Sequence, residues 1–294
     1  MRRKGFGAKH EVSVKRGGRP KGNVMNHLEQ HMVDLLLRAR HQYGVVAVKA
    51  EFEAEGTRPD EFLCLLKIAN RAGLRVALKI GGCEAVSDLI ASKLYGVDYI
   101  IAPMIESRYA LTKYIEARNK VYGSAAQTGF LFNLETDTAL RALPEMLPDA
   151  MRGVDGIVFG RVDFTLSRGM PRNAINDRSI TNAVVDVAKA CVDTNLELVV
   201  GGSVAVEAIE SLREIRSVRL DRFETRKVVF DGSAIESDNI DDGIAIAAEF
   251  ELAWLKNKRD YYATIAAEDE SRIGMMEARL SAADAARPRL LKSG

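Results

Sequence analysis

Phe130-Leu131-Phe132-Asn133-Leu134-Glu135-Thr136 and Gly156-Ile157-Val158-Phe159-Gly160-Arg161-Val162-Asp163 decide how this chain is read. Each is a short apolar run, bounded by glycine or polar residues, that stops on an acid. Runs of this length suit strands buried in a parallel sheet. Further candidate strands lie at 45–52, 75–80, 98–104, 197–201 and 226–231, with helical patterns around 60–72, 84–95, 108–121, 137–147, 178–193 and 203–214. Strands separated by helix-length segments imply right-handed βαβ units. Seven strands are clear; an eighth is expected at 217–221 or in the amino-terminal segment. Acids and bases end many different strands, so a closed (β/α)8 TIM barrel is preferred to an open doubly wound sheet. No Gly-x-Gly-x-x-Gly opens a helix after the first strand, which argues against a dinucleotide-binding fold.

The flanks differ in composition. Residues 1–23 hold eight Lys or Arg and five Gly, so 1–24 reads as a basic flexible arm, either solvated or a flap for an anionic substrate or neighbouring subunit. The barrel is expected over 25–235, opening on a helix with Leu28, Met32, Leu35, Leu36 and Ala39 at three- and four-residue spacing and closed by Gly44. Residues 236–294 read as carboxy-terminal helices. Their apolar stripe, Ile244, Ala248, Leu252 and Leu255, is expected to pack on the barrel or on another subunit.

Composition narrows the function classes. The 294 residues are 47% apolar and 28% charged, with a net charge of +1. That balance gives no argument for nucleic acid or an anionic membrane. No apolar run approaches the roughly 18 residues of a spanning helix. The basic start lacks the apolar region of a signal peptide. Cys64, Cys83 and Cys191 are widely spaced and odd in number, which fits reduced thiols and a cytoplasmic location. All four histidines (His10, His27, His31, His41) precede the strand-rich body. The body therefore cannot build a Ser-His-Asp triad, a Cys-His pair or a multi-histidine zinc site. A base there must be a carboxylate, Lys, Tyr or metal-bound water.

In such a barrel, residues at the carboxyl ends of the strands line the active-site mouth. Glu135 and Asp163, on consecutive strands, offer hard oxygen ligands for Mg²⁺ or Mn²⁺; the alternative use of each is to cap the following helix. The first strand puts Val46, Val48, Ala50 and Phe52 on one face and Lys49, Glu51, Glu53 and Glu55 on the other. Stacked carboxylates raise the pKa of at least one of them, a setting for a general base; a plain charged edge is the alternative. Lys79 ends the next strand and is suited to hold a carboxylate or form a Schiff base, unless it only pairs with Glu51 or Glu53. Gly81 and Gly82 after it permit close approach of a ligand to the backbone. Glu106 ends the third strand, or caps the next helix beside Ser107. Arg161 and Asp163 share parity, so a cation and an anion are expected to face one direction.

These segments resemble the HpcH/HpaI aldolase and citrate lyase family of metal-dependent (β/α)8 barrels, over roughly residues 44–210. Phe132–Thr136 looks like the family's strand with one metal-binding Glu, and Val154–Phe164 like its Asp-Gly-(apolar)-Gly-x-x-Asp segment with the second ligand. Ala102-Pro103-Met104-Ile105-Glu106-Ser107 and Glu51-Phe52-Glu53 match two further elements. The resemblance implies Mg²⁺ or Mn²⁺ on Glu135 and Asp163, chelating a 2-oxo acid, and cleavage or formation of a C–C bond beside a pyruvate-like or acyl-CoA unit. It also implies a homo-oligomer in which terminal helices pack across subunits. Three departures stand out: Lys79 where members usually carry Arg, Glu53-Ala54-Glu55-Gly56 where the pyruvate aldolases carry a histidine, and an unusual Arg161.

The expectation is a carbon–carbon lyase of the metal-dependent aldolase type acting on a small 2-oxo acid, with a 3-deoxy-2-oxo sugar acid as a candidate. Glu53, or second Glu51, would move the proton; Lys79 and Arg161 would hold negative charge; Glu51, Gly81, Gly82 and Glu106 would contact substrate. The alternatives are a Schiff-base aldolase using Lys79, and a barrel without turnover that binds a sugar acid or serves as a subunit of a larger complex.

Overall fold

Helix α1 (His27–Tyr43) begins at a reciprocal cap: the Asn26 side chain accepts the Glu29 N–H at 2.8 Å, and the Glu29 carboxylate accepts the Asn26 N–H at 3.1 Å. Two orphan donors are satisfied at once. Gly44, at φ 67°, takes the left-handed turn into the first strand. The computed structural model describes residues 25–123 and 127–286. The expected amino-terminal arm at 1–24 lies outside the described residues.

Eight strands close a barrel in chain order: β1 (Val45–Glu51), β2 (Arg75–Lys79), β3 (Tyr99–Ala102), β4 (Gly129–Leu134), β5 (Gly156–Gly160), β6 (Glu197–Gly201), β7 (Arg222–Glu224) and β8 (Val228–Asp231). Helices α2 (Pro59–Ala72), α3 (Val86–Tyr95), α4 (Arg108–Tyr122), α5 (Asp137–Gly153), α6 (Arg161–Ser167), α7 (Arg178–Thr194) and α8 (Ile209–Arg216) fall between them. Neighbours from β1 to β7 are parallel, as expected. β8 is reversed and pairs antiparallel with both β7 and β1. A hairpin, turned where the Thr225 N–H donates to Val228 O at 2.9 Å, therefore closes the barrel. The eighth strand expected at 217–221 falls just short of the real one: that segment is the turn after α8, and β7 begins at Arg222. A three-residue strand is too short to show a two-residue period.

Alternation along the strands makes two layers. Ala77, Ile101, Leu131, Val158 and Val199 fill the interior. Phe130, Phe132 and Phe159 point outward and are fully buried under the helices, each contributing roughly 1.5–3 kcal/mol. The barrel floor is stitched by aspartates preceding alternate strands. Asp98, Asp155 and Asp221 each accept the first free N–H of the previous strand (Val76, Phe130 and Leu198) at 2.7–2.8 Å. Each also returns its own N–H to that residue's carbonyl at 2.7–2.9 Å.

The tail is a single 47-residue helix, α9 (Ile240–Ala286). Ala247, Phe250, Ala253 and Trp254 bury against the barrel, where α1 is the main neighbour. Of the stripe expected to pack on the barrel or on another subunit, only one residue meets the barrel. Ile244 is buried, but Ala248 is exposed and Leu252 and Leu255 are each 52% exposed. The barrel takes the opposite face of the helix. Among the described residues no helix is long and apolar enough to cross a membrane.

The stitching aspartates make a stability prediction. Asp155→Ala strands the Phe130 N–H, and urea unfolding should show a loss of about 1–2 kcal/mol with an unchanged circular-dichroism spectrum.

Candidate active site

The two-residue period that buries Leu131 also sends Asn133 and Glu135 inward along β4, and sends Lys49 and Glu51 inward on β1. With Lys79, Asp163 and Glu224 they line a cavity of about 500 Å³ at the carboxyl end of the barrel, within the usual range for small-molecule sites. Two glycines make the room. A Cβ at Gly160 would lie 2.8 Å from that of Glu135, and one at Gly201 would lie 2.9 Å from a Glu224 carboxylate oxygen. Bulk at either strand end would displace an acid.

Glu135 is held at both oxygens. Oε1 accepts the Met104 N–H at 2.9 Å and Oε2 accepts Asn133 Nδ2 at 2.7 Å. Met104 reaches it from a left-handed backbone, φ 49°, which costs energy in a non-glycine residue. Lys79 Nζ lies 3.4 Å from Glu135 Oε2 and 3.4 Å from Glu53 Oε2. Burial opposes the charge on Lys79, but Glu135, Glu51 and Glu53 outweigh it and hold the amine above its ordinary range. Lys49 pairs closely with Glu224 and sits 3.3 Å from Glu51. Burial likewise pushes Glu51 up, yet Lys49 and Lys79 prevail and keep it ionised. Asp163, in the first turn of α6, is the exception. Partial desolvation, then the charge of Glu135, raises it above the usual carboxylate range, with only Lys79 opposing.

This donor set fits a hard divalent cation. Glu135 and Asp163 supply carboxylate oxygens to one cavity, Asp163 is destabilised by negative charge that a cation would relieve, and Asn133 Oδ1 is buried without a hydrogen-bond partner. Among the described residues no cluster of three or more His, Cys, Asp or Glu forms, so water and substrate would complete the coordination, as is usual for Mg²⁺.

Five expected residues lie off this cavity. Arg161 is corrected outright: β5 stops at Gly160, so the parity argument linking it to Asp163 lapses. Arg161 is 1% exposed and donates to Gly201 O at 3.2 Å, Gly202 O at 2.8 Å and Asn176 Oδ1 at 3.0 Å. Burial lowers its pKa to about 10. It clamps the end of β6 instead of facing a ligand. The Gly81 N–H is taken by Asp88 at 2.7 Å, and Gly82 beside it is half-buried. Glu106 accepts a 2.6 Å bond from Thr136 at the surface. Glu53 touches the site only through Lys79, whereas Glu51 lines it. Sequence reasoning missed Asn133 and Glu224. The first shares the face of Glu135 two residues away and was within reach of the period; the second sits on a strand too short to read. Burial pushes Cys64 and Cys191 up to about 12, so neither offers a thiolate.

Among solved structures, the chain is similar to an HpcH/HpaI aldolase from Desulfitobacterium hafniense DCB-2 (TM-score 0.53, 13% identity, 70% of this chain and 84% of that one). It is also similar to a HpcH/HpaI aldolase/citrate lyase family protein from Burkholderia cenocepacia J2315 (TM-score 0.54, 14% identity, 84% and 100%). The citrate synthase SbnG, in a variant form, superposes with TM-score 0.51 at 16% identity over 77% and 90%. At such identities the likeness is one of fold. No curated protein matches the chain. The family model described as HpcH/HpaI aldolase/citrate lyase matches residues 69–217, half of the sequence. This chain belongs to the HpcH/HpaI aldolase/citrate lyase family.

Proposed function

We propose that the protein is a carbon–carbon lyase of the aldolase type, acting on a 2-oxo acid with Mg²⁺ or Mn²⁺ on Glu135 and Asp163. The observation that carries this reading is the pairing of a rigidly held Glu135 with an electrostatically strained Asp163 in one cavity, beside a charged Lys79. A divalent ion bound there supplies a Lewis acid for the 2-oxo group. Lys79, kept protonated, pairs with the substrate carboxylate or with charge developing on the pyruvate half. No histidine is among the lining residues, and in this reading a carboxylate takes the proton.

Glu51 is better placed for that than Glu53, because it faces the cavity and is ionised. In the cleavage direction, Glu51 accepts the proton of the C4 hydroxyl, the C3–C4 bond breaks, and an aldehyde leaves. The bonding pair passes into the pyruvate half as its enolate, and a proton delivered to C3 completes pyruvate. A hydroxylated aldehyde half, as in a 3-deoxy-2-oxo sugar acid, suits a wall carrying Lys49, Ser203, Glu224 and Thr225.

Two measurements test this. Glu135→Gln and Asp163→Asn should each weaken Mn²⁺ binding in the absence of substrate by at least about tenfold; unchanged affinity in both removes the reading. The Schiff-base route requires a neutral amine, and the carboxylates around Lys79 oppose it. Borohydride reduction with pyruvate should therefore leave Lys79 unmodified, and a covalent adduct that survives chelation would reverse the choice of mechanism.

A further inference from the structure

The loop after β6 carries amides that the chain itself does not use. Gly202 at φ 89° and Ser203 at φ 45° lie successively in the left-handed region, and residues 201–205 all line the cavity. Among the described residues, the N–H groups of Gly202, Ser203, Val204 and Ala205 donate to no acceptor of the protein. Val204 is only 8% exposed, where an orphan N–H is costly.

Arg161 determines which way two of these amides turn. From a buried position off the cavity it holds the Gly201 and Gly202 carbonyls. In a trans peptide the N–H lies opposite the carbonyl, and no peptide among the described residues is cis. The Gly202 and Ser203 N–H groups therefore turn away from Arg161, toward the cavity that the loop lines. Successive N–H groups on left-handed backbone make a concavity suited to an oxyanion.

A cation lies beside this concavity. Arg172 is on the cavity wall, in the 3-10 turn Arg172–Asn176, which buried Ala174 and Ile175 anchor. The same turn supplies Asn176 to Arg161 at 3.0 Å, so one guanidinium ties turn and loop together. Arg172 Nη2 reaches Ser203 Oγ at 3.4 Å, and among the described residues no carboxylate pairs with it. The other cations of the wall are compensated. Lys49 has Glu51 and Glu224, Lys79 has Glu53 and Glu135, and Arg226 has Glu251 at 3.9 Å.

We propose that Arg172 and the 202–205 amides form a second anion subsite, which holds a terminal phosphate or carboxylate on the aldehyde half of the substrate. The subsite rests on the reading of the cavity as an aldolase site. There Lys79 meets the carboxylate of the 2-oxo half, so a second set of donors calls for a second anion. The planar fork of Arg can give two parallel N–H bonds to either group. An uncharged aldehyde would leave these donors unmatched, which costs affinity.

The test is calorimetric titration of the full-length, metal-free protein with inorganic phosphate and, separately, with succinate. At least one should saturate, and the tighter of the two names the tail. Arg172→Ala should weaken that binding at least about tenfold, with Arg172→Lys keeping part of it. Ser203→Asp, at a left-handed position that Asp tolerates, should abolish it by adding a like charge. Both positions are exposed, so circular dichroism should stay native. Pyruvate should not displace the bound anion. Saturation by neither anion, saturation indifferent to Arg172→Ala and Ser203→Asp, or displacement by pyruvate would each overturn the subsite. The titration contains no metal, so its failure is distinct from a failure of Glu135 and Asp163 to bind Mn²⁺.

Discussion

Lys79 and Glu135 lie 3.4 Å apart with side chains only 10% and 2% exposed, and an ionised group that far from water is tolerated only beside its opposite. The rest of the mouth follows from this constraint. Lys49 lies between Glu51 and Glu224, and Lys227 is paired with Glu55. Three lysines, with Arg172 and Arg226 on the cavity wall, thus face Glu51, Glu53, Glu55, Glu135, Glu224, Glu251 and Asp163, and the balance at the carboxyl end of the barrel is negative. Desolvation, and after it the charge of Glu135, weakens the acidity of Asp163, while Lys49 and Lys79 strengthen that of Glu51. A site short of positive charge, walled by oxygen donors and with an amide oxygen unpartnered, is prepared for a cation more than for an anion alone.

Holding these charges in register depends on what surrounds them. Gly160 and Gly201 have no side chain because carboxylates occupy that space. Gly202 turns at φ 89° so that its backbone packs on the start of α6. Arg161 then ties the Gly201 and Gly202 carbonyls to α6. The cost of burying a guanidinium, visible in its depressed pKa, is offset by three hydrogen bonds, two of which fix the end of β6 relative to β5. Asp163 is two residues along the same short helix, so its direction depends on this clamp without Arg161 reaching the ligand.

Much of this was legible in the sequence because a closed barrel converts parity into direction. Glu135, Lys79 and Glu51 were readable as mouth residues once their strands were recognised, and the inward turn of Lys49 and Glu51 followed from the same count. Arg161 failed for one reason: β5 ends a residue earlier than its apolar pattern suggests, and the helical turn that begins there rotates the side chain away. Glu224 and the reversed β8 were beyond reach, since a three-residue strand carries no period and the hairpin turn Thr225-Arg226-Lys227 has no glycine to announce it. The acid at Glu106 and the glycine pair at 81–82 show the limit of motif reasoning. Their polar groups were identified correctly, but nothing in the sequence revealed that Thr136 and Asp88 already use them.

The α9 stripe was legible as apolar spacing but not as a direction. Apolar spacing says that a face will be covered, not by what, and Leu252 and Leu255 share a helix with Phe250 and Trp254 that meet the barrel instead. The outer face reaches the site, because Ile244, Ala248 and Glu251 form part of the cavity wall that also carries Glu135, Lys79 and Asp163. Water at that wall weakens every charge interaction at the mouth, so the seating of α9 on α1 and the electrostatics of the cavity are one problem instead of two.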